Sequence, residues 1–328
     1  MQGINILGTG LYVPEKIMTN EDFSKIVETN DEWITTRTGI KQRHISTGHP
    51  TWYLGVEAAK KALEVSNTNP DEIDLIVIST TTPDYYTPSC SCIVQRELNL
   101  TNAMTIDINC ACTGFVYALD MARRYLFTGD VKKALVISTE NPSTFIDYDD
   151  RATCILFGDG AAACIVEASD KLYASFLGAD GNGAKHLISR HNNKTRWHKD
   201  EERFDDKAPE TKEHYLFQDG KEVYKFATKI LPFAANKTLE RVNLTPEDIS
   251  FFIPHQANLR IIQTAASNLG VSMDKFYVTL DKYGNTSSSS IPIAFDEAVK
   301  NGIIKRGDKI CMIGFGAGLT YGAIVLEY

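Results

Sequence analysis

The chain has 328 residues, of which 43% are hydrophobic and 23% are charged, proportions that are ordinary for a soluble globular protein. This length suffices for one large domain or two medium ones, with a core that needs no disulfides. The formal net charge is −8 and no run of basic residues occurs, which argues against nucleic acid as a main partner.

The first segment, MQGINILGTGLYVP, predicts a strand that ends in a glycine turn. It does not have the form of a signal peptide, because no basic start precedes a long apolar run. No stretch reaches the length of a membrane span, so we expect no membrane partner. The seven cysteines, an odd number scattered through the chain, are typical of a reducing compartment. We therefore expect a cytoplasmic protein.

An internal repeat gives the first view of the domain organisation. Residues 61–73, KALEVSNTNPDEI, match residues 237–249, KTLERVNLTPEDI, without a gap. In both, a helical run and a Pro-acidic turn lead into a short apolar run, LIVIST in one case and FFIPHQ in the other. Such runs, rich in β-branched or aromatic residues and bounded by turns, predict buried strands of a parallel sheet.

Two further pairs of segments occur in the same order along the chain. Residues 129–139 resemble residues 306–315, each being a Gly-Asp turn that feeds a buried strand. The stretches TIDINCACTGFVYALDMA and YVTLDKYGNTSSSSIPIAFDEA both read as strand, turn and helix. The sequence therefore predicts two related α/β halves, residues 1–174 and residues 175–328.

A segment of different character lies between the repeats. Residues 190–215 are highly charged and poor in aliphatic side chains. A solvated surface loop is the favoured interpretation. The alternative is a partly ordered flap over a site, with Trp197 as its apolar anchor.

The cysteines raise the questions of zinc and of a nucleophile. Three of them lie inside apolar, strand-like runs and are interpreted as buried small hydrophobes: Cys154, Cys164 and Cys311. The pairs Cys90/Cys92 and Cys110/Cys112 could supply four thiolates, but structural zinc sites use two to four intervening residues. No histidine lies near either pair, so we expect no metal site.

Cys112 stands in NCACTGF, directly before a run with apolar residues at helical spacing. A thiol at a strand-to-helix turn lies at a helix N-terminus, where unpaired N–H groups and the helix dipole favour the thiolate. We therefore expect a reactive cysteine there, although many cysteines at helix starts are inert.

Acyl chemistry at a thiol needs partner groups. Among the seven histidines, His255 alone follows an apolar run; a satisfied core histidine is the competing interpretation. Asn285 stands in the Gly-Asn turn of KYGNTSSSSIP and could be a simple turn former. Ligand sites of parallel α/β sheets gather at the C-terminal ends of strands, where all three residues fall. If the halves pack about a pseudo-twofold, Cys112 meets the other two.

The motifs resemble those of the β-ketoacyl-acyl-carrier-protein synthase III family of thiolase-like condensing enzymes. The resemblance runs nearly end to end and is carried by six segments: DEWITTRTGIKQRHI, ACTGF, FGDGAAA, IPHQANLRII, LDKYGNTSSSSIP and GFGAGLTYG. It implies an α/β fold of two βαβ-based halves in a five-layered αβαβα arrangement, and a homodimer.

The resemblance also implies roles for individual residues. Cys112, His255 and Asn285 would form a catalytic triad. The implied substrate-binding positions, with the coenzyme A part near the first three, are Thr29, Trp33, Arg37, Thr87, Arg151, Tyr224, Asn258, Phe315 and Ala317. Arg260 matches a basic position that meets the carrier protein.

The implied reaction is a ping-pong condensation in fatty-acid initiation, with acyl-CoA as a substrate and no resident cofactor. Cys112 takes the acyl group, with the oxyanion held by backbone N–H groups of Cys112 and near Ala317. Malonyl-acyl carrier protein then loses carbon dioxide and its carbanion attacks the acyl group, while His255 and Asn285 donate to the enolate oxygen. The product is a 3-ketoacyl chain.

Departures from the family pattern suggest a specialised member. Ala317 stands where many relatives have glycine, and a backbone donor tolerates it. Thr87 is small at a position near the acyl end that reaches across the dimer, which predicts room for a starter longer than acetyl. The charged segment at 190–215 looks longer than usual.

Three alternatives remain open from the sequence. A starter-unit enzyme of secondary metabolism, of polyketide or quinolone type, would keep the triad and change the donor or extender. A thiolase would need a second reactive cysteine, and Cys311 fits poorly because it lies inside a predicted strand. A hydroxymethylglutaryl-CoA synthase would need a catalytic glutamate, and no glutamate stands out in the matching turns. A degenerate scaffold protein would have lost the nucleophile, which is present.

Overall fold

The computed structural model of the protein describes residues 2–189 and 215–328. The predicted loop or flap, with Trp197, lies outside the described residues except for Tyr215. The described strands are Gly3–Tyr12 (β1), Ile17–Thr19 (β2), Gln42–His44 (β3), Leu75–Ser79 (β4), Met104–Ile108 (β5), Lys133–Glu140 (β6), Gly160–Ser169 (β7), Tyr173–Ala179 (β8), Leu187–Ser189 (β9), Leu216–Gln218 (β10), Phe251–Pro254 (β11), Lys309–Gly316 (β12) and Thr320–Glu327 (β13).

The helices alternate with these strands along much of the chain. In the described ranges they are Asn20–Phe23 (α1), Asp31–Thr38 (α2), Thr51–Ser66 (α3), Cys90–Glu97 (α4), Gly114–Leu126 (α5), Arg151–Cys154 (α6), Gly220–Glu240 (α7), Leu259–Leu269 (α8), Leu280–Tyr283 (α9) and Ser290–Lys300 (α10).

Two mixed sheets form the centre of the fold. The first has the order β1-β7-β6-β4-β5, with β4 parallel to both β5 and β6. The second has the order β11-β12-β13-β8, with β11 parallel to β12 and β13 antiparallel to its neighbours. The predicted buried parallel strands are confirmed, because LIVIS forms β4 and FFIP forms β11.

The burial of the strands shows how the layers stack. Along β4, Leu75 and Val77 pack in one apolar cluster, whereas Ile76 and Ile78 pack in another on the opposite face. This alternation is expected of a central strand covered on both faces. The first cluster also contains α5, α10 and residues of the second sheet, so these two helices lie between the sheets.

The outer layers complete the sandwich. Helices α3 and α4 cover the free face of the first sheet, and α7 and α8 cover that of the second. The order of layers is therefore helix, sheet, helix, sheet, helix, which is the predicted five-layered αβαβα arrangement.

The repeated segments adopt the same local structure. Helix α3, a 3₁₀ turn at Pro70–Glu72 and β4 correspond to α7, a 3₁₀ turn at Pro246–Asp248 and β11. Each turn begins with a capping box, in which side chains accept hydrogen bonds from the backbone N–H groups at the start of the turn. The chain passes from the first sheet to the second between β7 and β8, so the boundary predicted after residue 174 falls within β8. The division into two halves stays a prediction.

Candidate active site

Cys112 lies in a 3₁₀ turn, Ala111–Thr113, between the end of β5 and the start of α5. The predicted strand-turn-helix setting of this thiol is therefore confirmed. Ala111 has a φ of 47°, the left-handed conformation that a sharp turn requires. Gly316 lets β12 pass beside the turn, since a Cβ there would lie 2.6 Å from the Cys112 nitrogen.

The thiol of Cys112 differs from the sequence prediction in its ionisation. Burial raises its pKa to about 12, although a hydrogen bond with Ser287 and one with its own backbone act in the opposite direction. The helix terminus, which the sequence predicted to favour the thiolate, is outweighed by the loss of solvent around the sulfur. A group that removes the proton is therefore needed when the sulfur reacts.

His255 follows the last residue of β11 and is 2% exposed. Its backbone N–H donates to the Ile313 carbonyl over 2.8 Å, which fixes the chain beside β12. Its Nδ1 atom lies 2.7 Å from the Ser290 hydroxyl oxygen, and its ring meets the Phe315 ring edge-on at 5.4 Å. Burial lowers the pKa of His255 to about 3, so the imidazole is neutral at physiological pH.

Asn285 follows α9 and Gly284, which has a φ of 63°. Its N–H donates to the Leu156 carbonyl over 2.9 Å, and its own carbonyl accepts from Gly158 over 3.1 Å. Its side-chain oxygen accepts the Ser287 N–H over 2.9 Å. With that oxygen engaged, the side-chain NH₂ group is the part left for a ligand.

A cavity of about 350 Å³ brings these three residues together. Cys112, His255 and Asn285 all line it, together with Phe315 and Gly316. The structure therefore brings together the three residues that the sequence predicted to meet.

The same cavity extends to residues predicted to bind the substrate and the carrier protein. The predicted substrate-binding residues Trp33, Arg37, Tyr224 and Asn258 line it, and so does Arg260, the predicted docking position. The Arg37 guanidinium lies 4.8 Å from the centre of the Trp33 ring. Asn258 donates to the Arg37 carbonyl over 3.1 Å, and the Arg260 guanidinium donates to the Thr36 carbonyl over 3.0 Å.

Four of the predicted residues do not line this cavity. Arg151 lies at its edge, with its guanidinium 5.0 Å from the Trp33 ring and donating to the Glu28 carbonyl. Thr29 has a buried hydroxyl for which the described residues provide no partner. Thr87 is exposed on the loop before α4. Ala317 lines a second cavity.

The second cavity, of about 690 Å³, is also lined by Cys112. Cys112 and Phe157 line both cavities, and small hydroxyl side chains are frequent in the wall of the second. Its described lining includes Thr81, Thr82, Thr144, Ser189 and Ser287. An acyl chain attached to the sulfur would find room there.

Two groups next to Cys112 were not predicted from the sequence. The Ser287 hydroxyl lies 3.5 Å from the Cys112 sulfur, and it donates to the carboxylate of Glu140 over 3.1 Å. Glu140 is the last residue of β6 and is fully buried. A carboxylate at the end of a buried strand, on the sheet edge where Cys112 lies, was the signal that could have found it.

The described residues hold no group of three or more His, Cys, Asp or Glu side chains arranged to bind a metal ion. None of the helices in the described ranges is long and apolar enough to cross a bilayer.

Fold and site together define a condensing enzyme of the thiolase-like class. Residues 106–181 match the family 3-oxoacyl-[acyl-carrier-protein (ACP)] synthase III, and residues 239–328 match its C-terminal part. A β-ketoacyl-[acyl-carrier-protein] synthase III of Clostridium acetobutylicum is 48% identical over 100% of this chain and 99% of its own. The chain therefore belongs to the β-ketoacyl-[acyl-carrier-protein] synthase III family.

Solved structures agree with this assignment. The 3-oxoacyl-[acyl-carrier-protein] synthase III of Aquifex aeolicus VF5 is 42% identical, with a TM-score of 0.91 over 99% of this chain and 100% of that one. The priming β-ketosynthase of the R1128 polyketide biosynthetic pathway is 36% identical, with a TM-score of 0.89 over 99% of this chain and 96% of that one. The predicted family, thiolase-like fold and condensing acyltransferase activity are confirmed.

Proposed function

We propose that this enzyme moves an acyl group from coenzyme A to Cys112 and then joins it to malonyl-acyl carrier protein with loss of carbon dioxide. The supporting observation is the single cavity that Trp33 and Arg37 share with Cys112, His255 and Asn285. When the nucleotide end of an acyl-CoA rests on the indole and guanidinium groups, its thioester can reach the sulfur through this cavity. Coenzyme A enters as part of the substrate and is not a resident cofactor.

In the first half-reaction the Cys112 sulfur attacks the thioester carbonyl. The nucleotide part of the acyl-CoA donor lies near Trp33, Arg37 and Arg151. Tyr224 and Asn258 line the cavity between these residues and Cys112. The developing oxyanion accepts hydrogen bonds from the N–H of Cys112 and from one near Ala317. Phe315 packs against His255 and keeps the imidazole in place. The acyl chain then occupies the second cavity.

In the second half-reaction the malonyl group loses carbon dioxide and becomes an enolate. The Ser290 oxygen accepts the Gln256 N–H over 3.2 Å, which leaves the hydroxyl proton for Nδ1 of His255. Nε2 then carries the hydrogen and donates to the enolate oxygen, as does the NH₂ group of Asn285. The carbanion attacks the acyl group and Cys112 leaves as a thiolate.

The pKa of His255 predicts an unusual pH profile for this half-reaction. Since the pKa is lowered to about 3, the imidazole gains no proton when the pH falls from 7.5 to 5.5. We expect decarboxylation of malonyl-acyl carrier protein to keep its rate within about twofold over that range, whereas an unperturbed histidine would lose most of its neutral form. Carbon dioxide release by a Cys112→Ala variant measures this without thiol titration. An inflection near pH 6.5 would contradict the assignment.

A starter-unit enzyme of secondary metabolism is the second candidate function. The 36% identity to the R1128 priming β-ketosynthase and the roomy second cavity favour it. Initial rates of 3-ketoacyl formation separate the two. Fatty-acid initiation predicts short acyl-CoA donors and malonyl-acyl carrier protein as extender, whereas the alternative predicts unusual donors or use of malonyl-CoA. No product with any donor and extender would contradict both.

The carrier protein is proposed to dock at the mouth of the first cavity. Arg260 lies at this mouth, and Lys221 and Lys225 are exposed on α7 beside Gly220 and Tyr224, which line the cavity. A local basic surface of this kind on a chain of net charge −8 suits an acidic partner.

Arg260→Ala is therefore expected to raise the KM for malonyl-acyl carrier protein up to about fivefold, the value of one exposed charge pair, with acylation by acyl-CoA spared. Lys237→Ala, at the far end of α7, is the control. Rates of the two half-reactions at two salt concentrations provide the measurement. Equal loss in both half-reactions would count against docking.

A homodimer is proposed through β5. This strand ends the first sheet, has no partner on its outer edge among the described residues, and carries the exposed side chain of Met104. An unprotected edge strand pairs readily with a second copy, which would extend the sheet across a twofold axis. Light scattering should give twice the mass of one chain. A concentration-independent monomer would contradict it.

We also propose that the enzyme works in the cytoplasm. All seven cysteines carry free thiols, as a reducing compartment favours. Fractionation of cells that express the tagged protein would test this.

A further inference from the structure

Glu140 is a fully buried carboxylate directly behind the nucleophile. Its Oε2 atom accepts from the Thr81 N–H and hydroxyl over 3.0 and 2.7 Å, and from the Thr82 hydroxyl over 3.3 Å. Its Oε1 atom accepts from the hydroxyls of Ser287 over 3.1 Å and Ser288 over 2.5 Å. The protein thus builds a dedicated site for a carboxylate that the two half-reactions described above do not use.

The hydrogen bonds define the charge of this group. Five donors converge on its two oxygens, which is the arrangement that an ionised, acceptor-only carboxylate requires. All five donors are uncharged, and the titratable groups that face Glu140 are the thiols of Cys112 and Cys90. Burial raises the pKa of Glu140, so it takes up a proton more readily than an exposed glutamate does.

Ser287 connects this carboxylate to the nucleophile. Its oxygen lies 3.5 Å from the Cys112 sulfur and 3.1 Å from Glu140 Oε1. A hydroxyl has one proton, and here the ionised Glu140 accepts it. Towards the sulfur the Ser287 oxygen is therefore free to accept from the resting Cys112 thiol, and its hydroxyl can donate to the sulfur only after that proton has left. The order of donation runs from Cys112 through Ser287 to Glu140.

We propose that Ser287 and Glu140 form a proton relay that takes the Cys112 proton during acylation. The inference rests on the proposed role of Cys112 as the acylated nucleophile. As the bond between sulfur and the carbonyl carbon forms, the thiol proton moves to the Ser287 oxygen and the Ser287 proton moves to Glu140. The bond from carbon to the coenzyme A sulfur breaks, and that thiolate takes a proton from solvent.

The same relay closes the cycle. When the carbanion attacks the acyl group, the bond from carbon to the Cys112 sulfur breaks and releases a thiolate. Glu140 returns its proton through Ser287, which restores the thiol. One solvent proton is consumed per turnover, and it balances the carboxylate that leaves as carbon dioxide. No further reactant is needed.

The geometry leaves few other bases for the thiol. His255 is neutral and its Nδ1 atom is occupied by Ser290, while Nε2 is needed as a donor in the second half-reaction. Because the pKa of the resting thiol is about 12, very little thiolate is present at neutral pH, and a base that acts in the acylation step has a large effect.

The test compares single-turnover acylation by a short acyl-CoA in Ser287→Ala and Ser288→Ala, followed by intact-mass measurement. Ser287→Ala removes the link to the sulfur. Ser288→Ala removes a similar hydrogen bond from Glu140 but no contact with Cys112. We expect Ser287→Ala to acylate about 100-fold more slowly at pH 7, the scale of one general base. Its rate should then rise about tenfold per pH unit as hydroxide takes over.

Ser288→Ala is expected to keep the pH profile of the wild type. Glu140→Gln, checked for folding by its thermal unfolding, should behave as Ser287→Ala does. Three results would overturn the relay: wild-type rates in Ser287→Ala, equal slowing in both serine variants, or slowing without the steeper pH dependence. Absence of any adduct on the wild-type enzyme would instead contradict the proposed function itself, so the two failures are distinguishable.

Discussion

Replacing Cys112 with alanine is expected to abolish the acyl adduct and to lower 3-ketoacyl formation by about 10⁴-fold or more, the scale on which covalent enzymes lose activity without their nucleophile. The physical reason is that Cys112, Phe157 and Leu187 are the described residues that line both cavities, and of these three Cys112 alone carries a nucleophilic group. Intact-mass measurement after incubation with acyl-CoA, together with a product assay, gives the result.

Two controls make this prediction specific. Cys110→Ala changes a half-buried thiol two residues away and should keep the adduct. Cys112→Ala retains His255 and Asn285, so it should still release carbon dioxide from malonyl-acyl carrier protein. An adduct that persists in Cys112→Ala would show that another residue is the nucleophile.

Changing Asn285 to aspartate should separate the two half-reactions. Aspartate keeps an oxygen for the Ser287 N–H but presents no NH₂ group to the enolate. We expect condensation to slow by about 10²–10³-fold, the usual cost of one such donor, while the acyl adduct still forms. Consumption of preformed acyl-enzyme by malonyl-acyl carrier protein measures the second step alone.

His255→Ala should give a loss of similar size in the same step, since both side chains donate to one oxygen. The control is Asn301→Ala, which changes an exposed residue whose side-chain amide donates to the Tyr277 hydroxyl, and it should leave both steps unchanged. If acylation and condensation fell equally in Asn285→Asp, the amide would be shaping the site rather than stabilising the enolate.

The fold and the meeting of Cys112 with His255 could be predicted from the sequence because both depend on local signals. Buried runs such as LIVIST have the composition of a strand covered on both faces, and Cys112 and His255 follow such strands in matching places. The repeat then related the two strand ends, which lie far apart along the chain.

What the sequence could not supply depends on tertiary packing. The pKa of Cys112 is raised by a burial that only the folded chain creates, so a helix-terminus argument alone pointed in the opposite direction. Glu140 is the last residue of an ordinary strand, LVISTE. Its link to Cys112 depends on a hydrogen bond from Ser287, which is 147 residues away in the sequence. For residues on loops, such as Thr87, no local sequence signal predicts whether the side chain lines a cavity.

The proposed function requires an acyl group that forms on Cys112 and is then transferred to the malonyl unit. A pulse-chase experiment tests this most directly: the wild-type enzyme is loaded with acyl-CoA, freed of excess donor, and chased with malonyl-acyl carrier protein under intact-mass detection. We predict one added acyl mass on the peptide that contains Cys112, and its complete transfer to the carrier as a 3-ketoacyl product. An adduct elsewhere, or one that the chase leaves in place, would contradict the account.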